Sequence, residues 1–164
     1  MTYTSRLDLG ASVRKQAATL LQARLSDALD LEAQTKQAHW NVKGPHFMQL
    51  HELFDSVHSE VEGFVDLIAE RITALGHVAD GRAQTTAARS SLYEYPLQAV
   101  AGTDHLKALS GALAQFGALV RKDIDAATAA GDADTADLFT QISRETDKQL
   151  WFLEAHLVTG DSAG

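Results

Sequence analysis

Four long segments of the chain carry apolar side chains at intervals of three and four residues, which is the spacing of one face of an α-helix. These segments cover about residues 10–41, 47–75, 103–130 and 134–157. The composition agrees, because the 164 residues include only 2 Pro and 11 Gly, and most of the glycines fall between the segments. The sequence therefore predicts an all-α protein.

Residues that end helices mark the boundaries of these segments. Gly44 and Pro45 separate the first two segments, since proline cannot continue a helical hydrogen-bond ladder and disfavours the helical conformation in the residue before it. Gly76 is expected to end the second segment, and Gly131 lies between the third and the fourth. We therefore predict four separate long helices.

The connection between the second and third helices is much longer than the other two. It is rich in small and polar residues, and we expect a short helix within it at Leu92–Pro96. Thr103 is the expected N-cap of the third long helix. One long middle connection favours a ferritin-like four-helix bundle over a simple up-down-up-down array. The prediction is one domain covering residues 1–164.

The composition also limits the chemistry that is open to the protein. The chain has 0 Cys, which excludes disulfides and thiolate metal sites, so any metal must be held by His, Asp or Glu. A net charge of -8 opposes bulk attraction to nucleic acid or to an anionic membrane. Met1–Leu9 has no apolar core of a signal peptide, and no apolar run has the length of a membrane span. We expect a cytoplasmic protein that does not bind membranes.

Two pairs of potential metal ligands lie on the second helix. His51 and Asp55 are four residues apart, as are Asp66 and Glu70, so each pair shares one helix face and can share one ion. The alternative for either pair is an ordinary solvated face. His39 lies on the apolar stripe of the first helix, where the alternative is a hydrogen-bonded core histidine. The Glu-x-x-His motif of larger di-iron bundles is absent, which argues against a di-iron centre inside one bundle.

The first two helices also contain a specific sequence pattern. It begins with TKQAHWNVKGPHF at residues 35–47 and continues with LHxxFD at 50–55 and DxxAER at 66–71. In residue types and in gaps this pattern resembles the Dps family of mini-ferritins. Residues 135–138 and 147–154 of the fourth helix are similar to the same family. The resemblance thus covers nearly the whole chain.

The resemblance implies a homododecamer, built from two-fold dimers, that acts as a ferroxidase and stores iron. Such a cage oxidises Fe(II), preferentially with hydrogen peroxide, and keeps ferric mineral in its hollow interior, which protects against oxidative damage. Iron is the implied metal, with zinc or another divalent ion as an alternative occupant of the same site. The ligands carried over from the family pattern are His39, His51, Asp55, Asp66 and Glu70.

Helix geometry predicts how these ligands meet. Asp55 and Asp66 are 11 residues apart, about 16 Å along a helix, and His51 and Glu70 are 19 apart, about 28 Å. One chain cannot close them around one ion. Two copies of the helix that pack antiparallel place residues opposite each other when their numbers have a constant sum. The sum is 121 for His51 with Glu70 and also for Asp55 with Asp66, so one such packing would bring both pairs together. We predict that His39, His51 and Asp55 come from one subunit and Asp66 and Glu70 from its two-fold mate.

Three groups of residues remain open to more than one interpretation. Trp40, beside the site, is interpreted as core packing, with an oxidisable radical trap as the alternative. His58 and Glu62 extend the stripe of His51 and Asp55, and we interpret them as a solvated or interfacial face, with an accessory metal site as the alternative. Acidic side chains at the start of a helix interact favourably with the helix dipole in any protein, and the fourth helix begins with such residues. The resemblance implies that they line an entry pore, with Asp137 the main candidate and Asp132 and Asp134 secondary.

DNA binding is the competing function, because many members of the family compact DNA through a Lys-rich terminal tail and associate with the nucleoid. Here the segment before the first helix offers only Arg6, followed by Arg14 and Lys15 where the helix begins. Residues 158–164 contain no basic side chain. The sequence therefore argues against DNA binding through a terminal tail.

Overall fold

The structure is a computed structural model that describes residues 5–158. In that range it contains five helices, α1 Ala11–Asn41, α2 Phe47–Ala74, α3 Ala83–Arg89, α4 Gly102–Ala130 and α5 Ala133–Glu154. The only extended pairing in the same range is an isolated bridge between Lys43 and Ala101. The predicted all-α bundle with a long crossover that carries a short helix is confirmed. No helix within residues 5–158 is long and apolar enough to cross a membrane.

Two left-handed glycines end long helices where the sequence predicted breaks. Gly76 has φ 85° and Gly131 has φ 87°, a conformation that costs glycine little because it has no Cβ. After each glycine the next backbone N–H reaches back into the helix, from His77 to the oxygen of Ile72 and from Asp132 to that of Ala127, both at 3.1 Å. These bonds satisfy carbonyl groups that would otherwise lack partners at the helix ends.

The short crossover helix lies at Ala83–Arg89, so the prediction of a helix at Leu92–Pro96 was wrong. The reason is that side chains of α1 bind the backbone of the later segment. Asp27 accepts the Ser91 N–H at 2.6 Å, and Gln34 donates to the Tyr93 carbonyl at 3.0 Å. Backbone groups bound in this way are not free to form a helical ladder.

Two long helices also have ends that differ from the predicted ones. Helix α4 begins at Gly102, and its first turn is closed by Asp104, whose carboxylate accepts the Ala101 N–H at 3.2 Å, so Thr103 is not the N-cap. Helix α5 ends at Glu154, three residues before the expected end.

The core is formed where antiparallel pairs of helices meet, α1 with α2 and α4 with α5. Phe54, Phe116 and Phe139 are fully buried, and each contributes roughly 1.5–3 kcal/mol by leaving water. The predicted core position Trp40 is exposed in the single chain, at 67%. Core packing of Trp40 within one chain was therefore wrong, because the side chain lies outside the α1–α2 seam.

Buried ion pairs connect the helix pairs to each other. Arg24 of α1 lies 3.1 Å from Asp27 and 3.4 Å from Asp123 of α4. Burial raises the pKa of Asp27, and it raises the pKa of Asp123 as well. Arg71 of α2 donates to Asp132 before α5 at 2.7 Å. Since a buried charge is costly without a partner, the contacts of Arg24 with Asp123 and of Arg71 with Asp132 keep charged groups of neighbouring helices paired.

Candidate metal centre

His39 at the end of α1 and His51 in the first turns of α2 lie face to face. The connection at residues 42–46 turns the chain back through Gly44, at φ 118°, and brings the two rings together. The ring centroids are 3.6 Å apart, with 22° between the planes. Nδ1 of each ring lies 2.8 Å from the main-chain oxygen of the other residue.

This reciprocal contact determines which ring nitrogen of each histidine is free. A carbonyl oxygen only accepts hydrogen bonds, so both Nδ1 atoms must be the protonated donors. In the neutral rings Nε2 of His39 and of His51 then retains its lone pair. This is the tautomer and the fixed orientation that metal-binding histidines adopt when a second group holds the other nitrogen.

Asp55 lies one helical turn beyond His51, and its Oδ1 is 3.8 Å from Nδ1 of His39. The same oxygen accepts a hydrogen bond from the ammonium group of Lys36 on α1. This bond is the main reason that the pKa of Asp55 lies below its usual value, and the positive charge of Lys36 adds to it. The carboxylate is therefore ionised at neutral pH and has a cationic partner.

The sequence reasoning missed Lys36. The available signal was that Lys36 precedes His39 by three residues on a helix, which places both side chains on one face. Its contact with Asp55 depends on how α1 and α2 pack, which spacing along one helix does not reveal.

Asp66 and Glu70 lie further along α2, where both side chains are exposed. The structure places His39 beside both His51 and Asp55 and leaves the second acid pair apart from them. Between residues 5 and 158 of one chain, no three His, Asp or Glu side chains gather closely enough to hold a metal ion. Completion of the site by a second subunit stays a prediction.

Comparison with known proteins adds the family to this geometry. The ferritin-like domain model matches residues 18–163. A protein of Agrobacterium fabrum named DNA protection during starvation protein is 40% identical over 156 residues, which cover 95% of this chain and 96% of the relative. The chain belongs to the Dps family of mini-ferritins. The resemblance seen in the sequence is confirmed, as is the ferritin-like fold.

Solved structures of Dps proteins share the architecture over nearly the full chain. Dps from Mycobacterium smegmatis, in a tetragonal form, has a TM-score of 0.92 and 31% identity, covering 98% of this chain and 97% of its own. Dps from Microbacterium arborescens in the high iron form has a TM-score of 0.86 and 33% identity, covering 94% and 99%. The bundle described above is thus the Dps fold.

The three acids considered for an entry pore differ in their surroundings. Asp132 is 1% exposed, and besides binding Arg71 it caps α5 by accepting the Thr135 N–H at 3.1 Å. Its carboxylate therefore links α2 to the first turn of α5. Asp134 and Asp137 are exposed. A pore lined by these acids stays a prediction, and the surroundings favour Asp134 and Asp137 as the ones open to solvent.

Proposed function

We propose that the protein is a ferroxidase and iron-storing mini-ferritin that uses hydrogen peroxide as its preferred oxidant. The observation that carries the proposal is the reciprocal hydrogen bonding of His39 and His51, which engages both Nδ1 atoms and leaves both Nε2 atoms for a metal, in a chain of the Dps family with Asp55 beside His39. Fe(II) is the substrate, and ferric mineral inside a cage of twelve subunits is the stored product.

The types of ligand suit a site that binds Fe(II) and releases Fe(III). Neutral imidazoles of His39 and His51 bind a divalent first-row ion, while the harder carboxylate oxygen of Asp55 favours the ferric product. Oxidation of two Fe(II) supplies two electrons, which reduce one hydrogen peroxide to two water molecules with the uptake of two protons. Because each peroxide molecule receives two electrons, the one-electron reduction that would release a hydroxyl radical is avoided.

The second half of the site, in this proposal, comes from a two-fold mate. Two copies of α2 that pack antiparallel and cross near Glu60 and Val61 bring Asp66 and Glu70 of the mate to His51 and Asp55. The proposal is supported by Gly63, which is exposed and has open space where a Cβ would lie, so a second helix can approach closely there.

The proposal of a cage is supported by large apolar side chains that are exposed in the single chain. Trp40 is 67% exposed, Met48 56% and Trp151 63%. Aromatic and methionine side chains are enriched in the buried core of subunit interfaces, where assembly would cover them.

The direct test is to load the assembled protein with Fe(II) under anaerobic conditions and then to add hydrogen peroxide. We expect fast oxidation that consumes about two Fe(II) per peroxide. The double substitution Asp66→Ala/Glu70→Ala should remove fast oxidation while the particle stays assembled, and the matched double variant Asp125→Ala/Glu154→Ala of exposed acids should oxidise like the wild type. An unchanged initial rate in the first variant would contradict the assignment.

DNA protection is the second candidate, favoured by the name of the Agrobacterium fabrum relative. The net charge of -8 opposes it, since affinity for DNA arises mainly from cationic side chains at the phosphates. We predict that the assembled protein does not retard duplex DNA at neutral pH without divalent cations. A stable complex at moderate salt would contradict this prediction, and a steep loss of binding with rising salt would then point to a basic patch.

A further inference from the structure

A second His–carboxylate pair lies on the seam between α1 and α2, one turn beyond Asp55. Nε2 of His58 on α2 is 4.0 Å from Oε1 of Glu32 on α1. The side chains are 16% and 25% exposed, so both are mostly enclosed yet reachable from solvent. Neither residue belongs to the five ligands considered above.

The proton on the His58 ring can be placed from its neighbour Thr35. The Thr35 hydroxyl donates to the Glu32 main-chain oxygen at 2.7 Å, so its oxygen is left as an acceptor. That oxygen is 3.4 Å from Nδ1 of His58 and accepts the Nδ1–H. In the neutral ring, Nε2 then carries the lone pair and lies 4.0 Å from the Glu32 carboxylate.

Two electron-rich atoms this close repel unless a proton on the ring nitrogen or a metal ion lies between them. We propose that Glu32 and His58 bind a divalent transition-metal ion at this position. In a tetrahedral zinc-like site with metal–ligand distances of about 2.0–2.2 Å, a nitrogen and an oxygen ligand lie about 3.4 Å apart. The observed 4.0 Å therefore needs a closure of roughly half an ångström, which rotation of the Glu32 side chain provides. An imidazole ligand favours zinc-like or iron-like ions over Mg²⁺ and Ca²⁺.

The two side chains would supply two ligands, and water would supply the others, since no third His, Asp or Glu of the described residues lies close enough. Glu62 lies on α2 one turn after His58, and it is exposed. The sequence paired His58 with Glu62 along one helix, whereas the structure adds Glu32 from the neighbouring helix. Because Glu32 precedes His58 by 26 residues, spacing alone could not have suggested this partner.

The site would lie about 4.5 Å along α2 from Asp55, which follows from three residues of helical rise. It is formed from contacts within one chain, so it depends neither on iron oxidation nor on the two-fold completion proposed above. An assembled protein without ferroxidase activity would still bind an ion here, and the two proposals can fail separately.

The test is crystallography of the assembled protein grown with Co²⁺, with data collected above the cobalt absorption edge. We expect an anomalous peak between His58 Nε2 and Glu32 Oε1, about 2.0–2.2 Å from each. The peak should persist in Asp66→Ala/Glu70→Ala and disappear in His58→Gln. A map without this peak would overturn the proposal, whether or not His58 and Glu32 form a direct ion pair.

Co²⁺ titration by calorimetry provides the solution measurement. We expect His58→Gln to lose about one bound Co²⁺ per chain relative to the wild type, and Glu32→Gln to lose the same equivalent. The matched control His156→Gln replaces an exposed histidine elsewhere and should titrate like the wild type. If His58→Gln assembles poorly, Glu32→Gln decides, since it retains the shape of the side chain. Retention of the equivalent in Glu32→Gln would contradict the site.

Discussion

His39 and His51 hold each other in place, because each ring donates its Nδ1–H to the main-chain oxygen of the other residue at 2.8 Å. One residue ends α1 and the other lies in the first turns of α2, so the same pair of bonds also closes the turn between the helices. The rings are therefore oriented before any ion binds, and no side-chain freedom has to be lost at that step.

The two ring nitrogens of His51 have different roles, since Nδ1 makes the structural hydrogen bond and Nε2 is the proposed ligand atom. Substitutions can therefore test the two roles separately. In His51→Asn the amide nitrogen can occupy the place of Nδ1 and retain the bond to His39, while Nε2 is removed. In His51→Gln the amide lies near the place of Nε2, and the bond is lost. We expect His51→Asn to stay close to wild-type stability, and His51→Gln to lose about 1 kcal/mol, the usual net value of one hydrogen bond.

Both variants should lose fast Fe(II) oxidation, since an amide is a poor substitute for imidazole at a transition metal. Thermal unfolding and initial oxidation rates, measured on the same preparations, check the two parts of this prediction. Wild-type oxidation by His51→Asn would show that Nε2 of this residue is not a ligand.

Lys36 should compete with cations for Asp55, because its ammonium group occupies one of the two carboxylate oxygens to which a metal can bind. The pair is partly exposed, at 28% for Lys36 and 49% for Asp55, so water screens the interaction and the competition is weak. We predict that Lys36→Gln binds Co²⁺ up to about fivefold more tightly than the wild type.

The matched control for this substitution is Lys148→Gln, which removes an exposed lysine paired with Glu145 on α5. It should leave Co²⁺ affinity unchanged. Weaker binding in Lys36→Gln would contradict the competition and would indicate that Lys36 orients Asp55 for the ion.

Tyr95 should make the protein sensitive to alkaline pH. Its hydroxyl shares a 2.5 Å hydrogen bond with His105 Nδ1, and burial raises its pKa well above the usual value of about 10, with the charge of Asp104 adding to the effect. Burial also lowers the pKa of His105, so the ring is neutral. Since the folded state disfavours tyrosinate, the contribution of Tyr95 is complete below about pH 10 and is lost as the pH rises further.

The measurement is thermal unfolding between pH 8 and 11 for the wild type and for Tyr95→Phe. The variant should be less stable at pH 8, and the difference should shrink above about pH 10. Tyr93→Phe is the control, because Tyr93 is 79% exposed. A difference that stays constant up to pH 11 would show that Tyr95 does not contribute in this way.

The long helices were predictable because local signals determine them. Apolar spacing marks the faces, and Gly76 and Gly131 end helices through backbone conformations that the residue type itself favours. The position of the crossover helix was not predictable, since it depends on side chains of α1, such as Asp27, that bind the crossover backbone from a distance in sequence.

The candidate site was also predictable only in part. His39, His51 and Asp55 were found from their residue types, their spacing and the resemblance. The contact of Lys36 with Asp55 was not found, because it crosses the seam between two helices, and the same is true of the contact between Glu32 and His58. The exposed position of Trp40 was also missed, since an apolar stripe does not tell which of its members a single chain leaves uncovered.

The central claim, that each site combines residues of two subunits, can be tested by mixing two inactive variants. His51→Ala/Asp55→Ala removes one half of the site, and Asp66→Ala/Glu70→Ala removes the other. In a dimer of one variant with the other, one site lacks both halves while the second site is intact.

Each variant alone should show no fast Fe(II) oxidation. Particles formed by co-expression of both at equal levels should recover about a quarter of the wild-type initial rate, since half of the randomly formed dimers are mixed and each of these has one of two sites intact. Recovery near this value is the predicted result. Mixed particles that are as inactive as the separate variants would contradict a site shared between subunits.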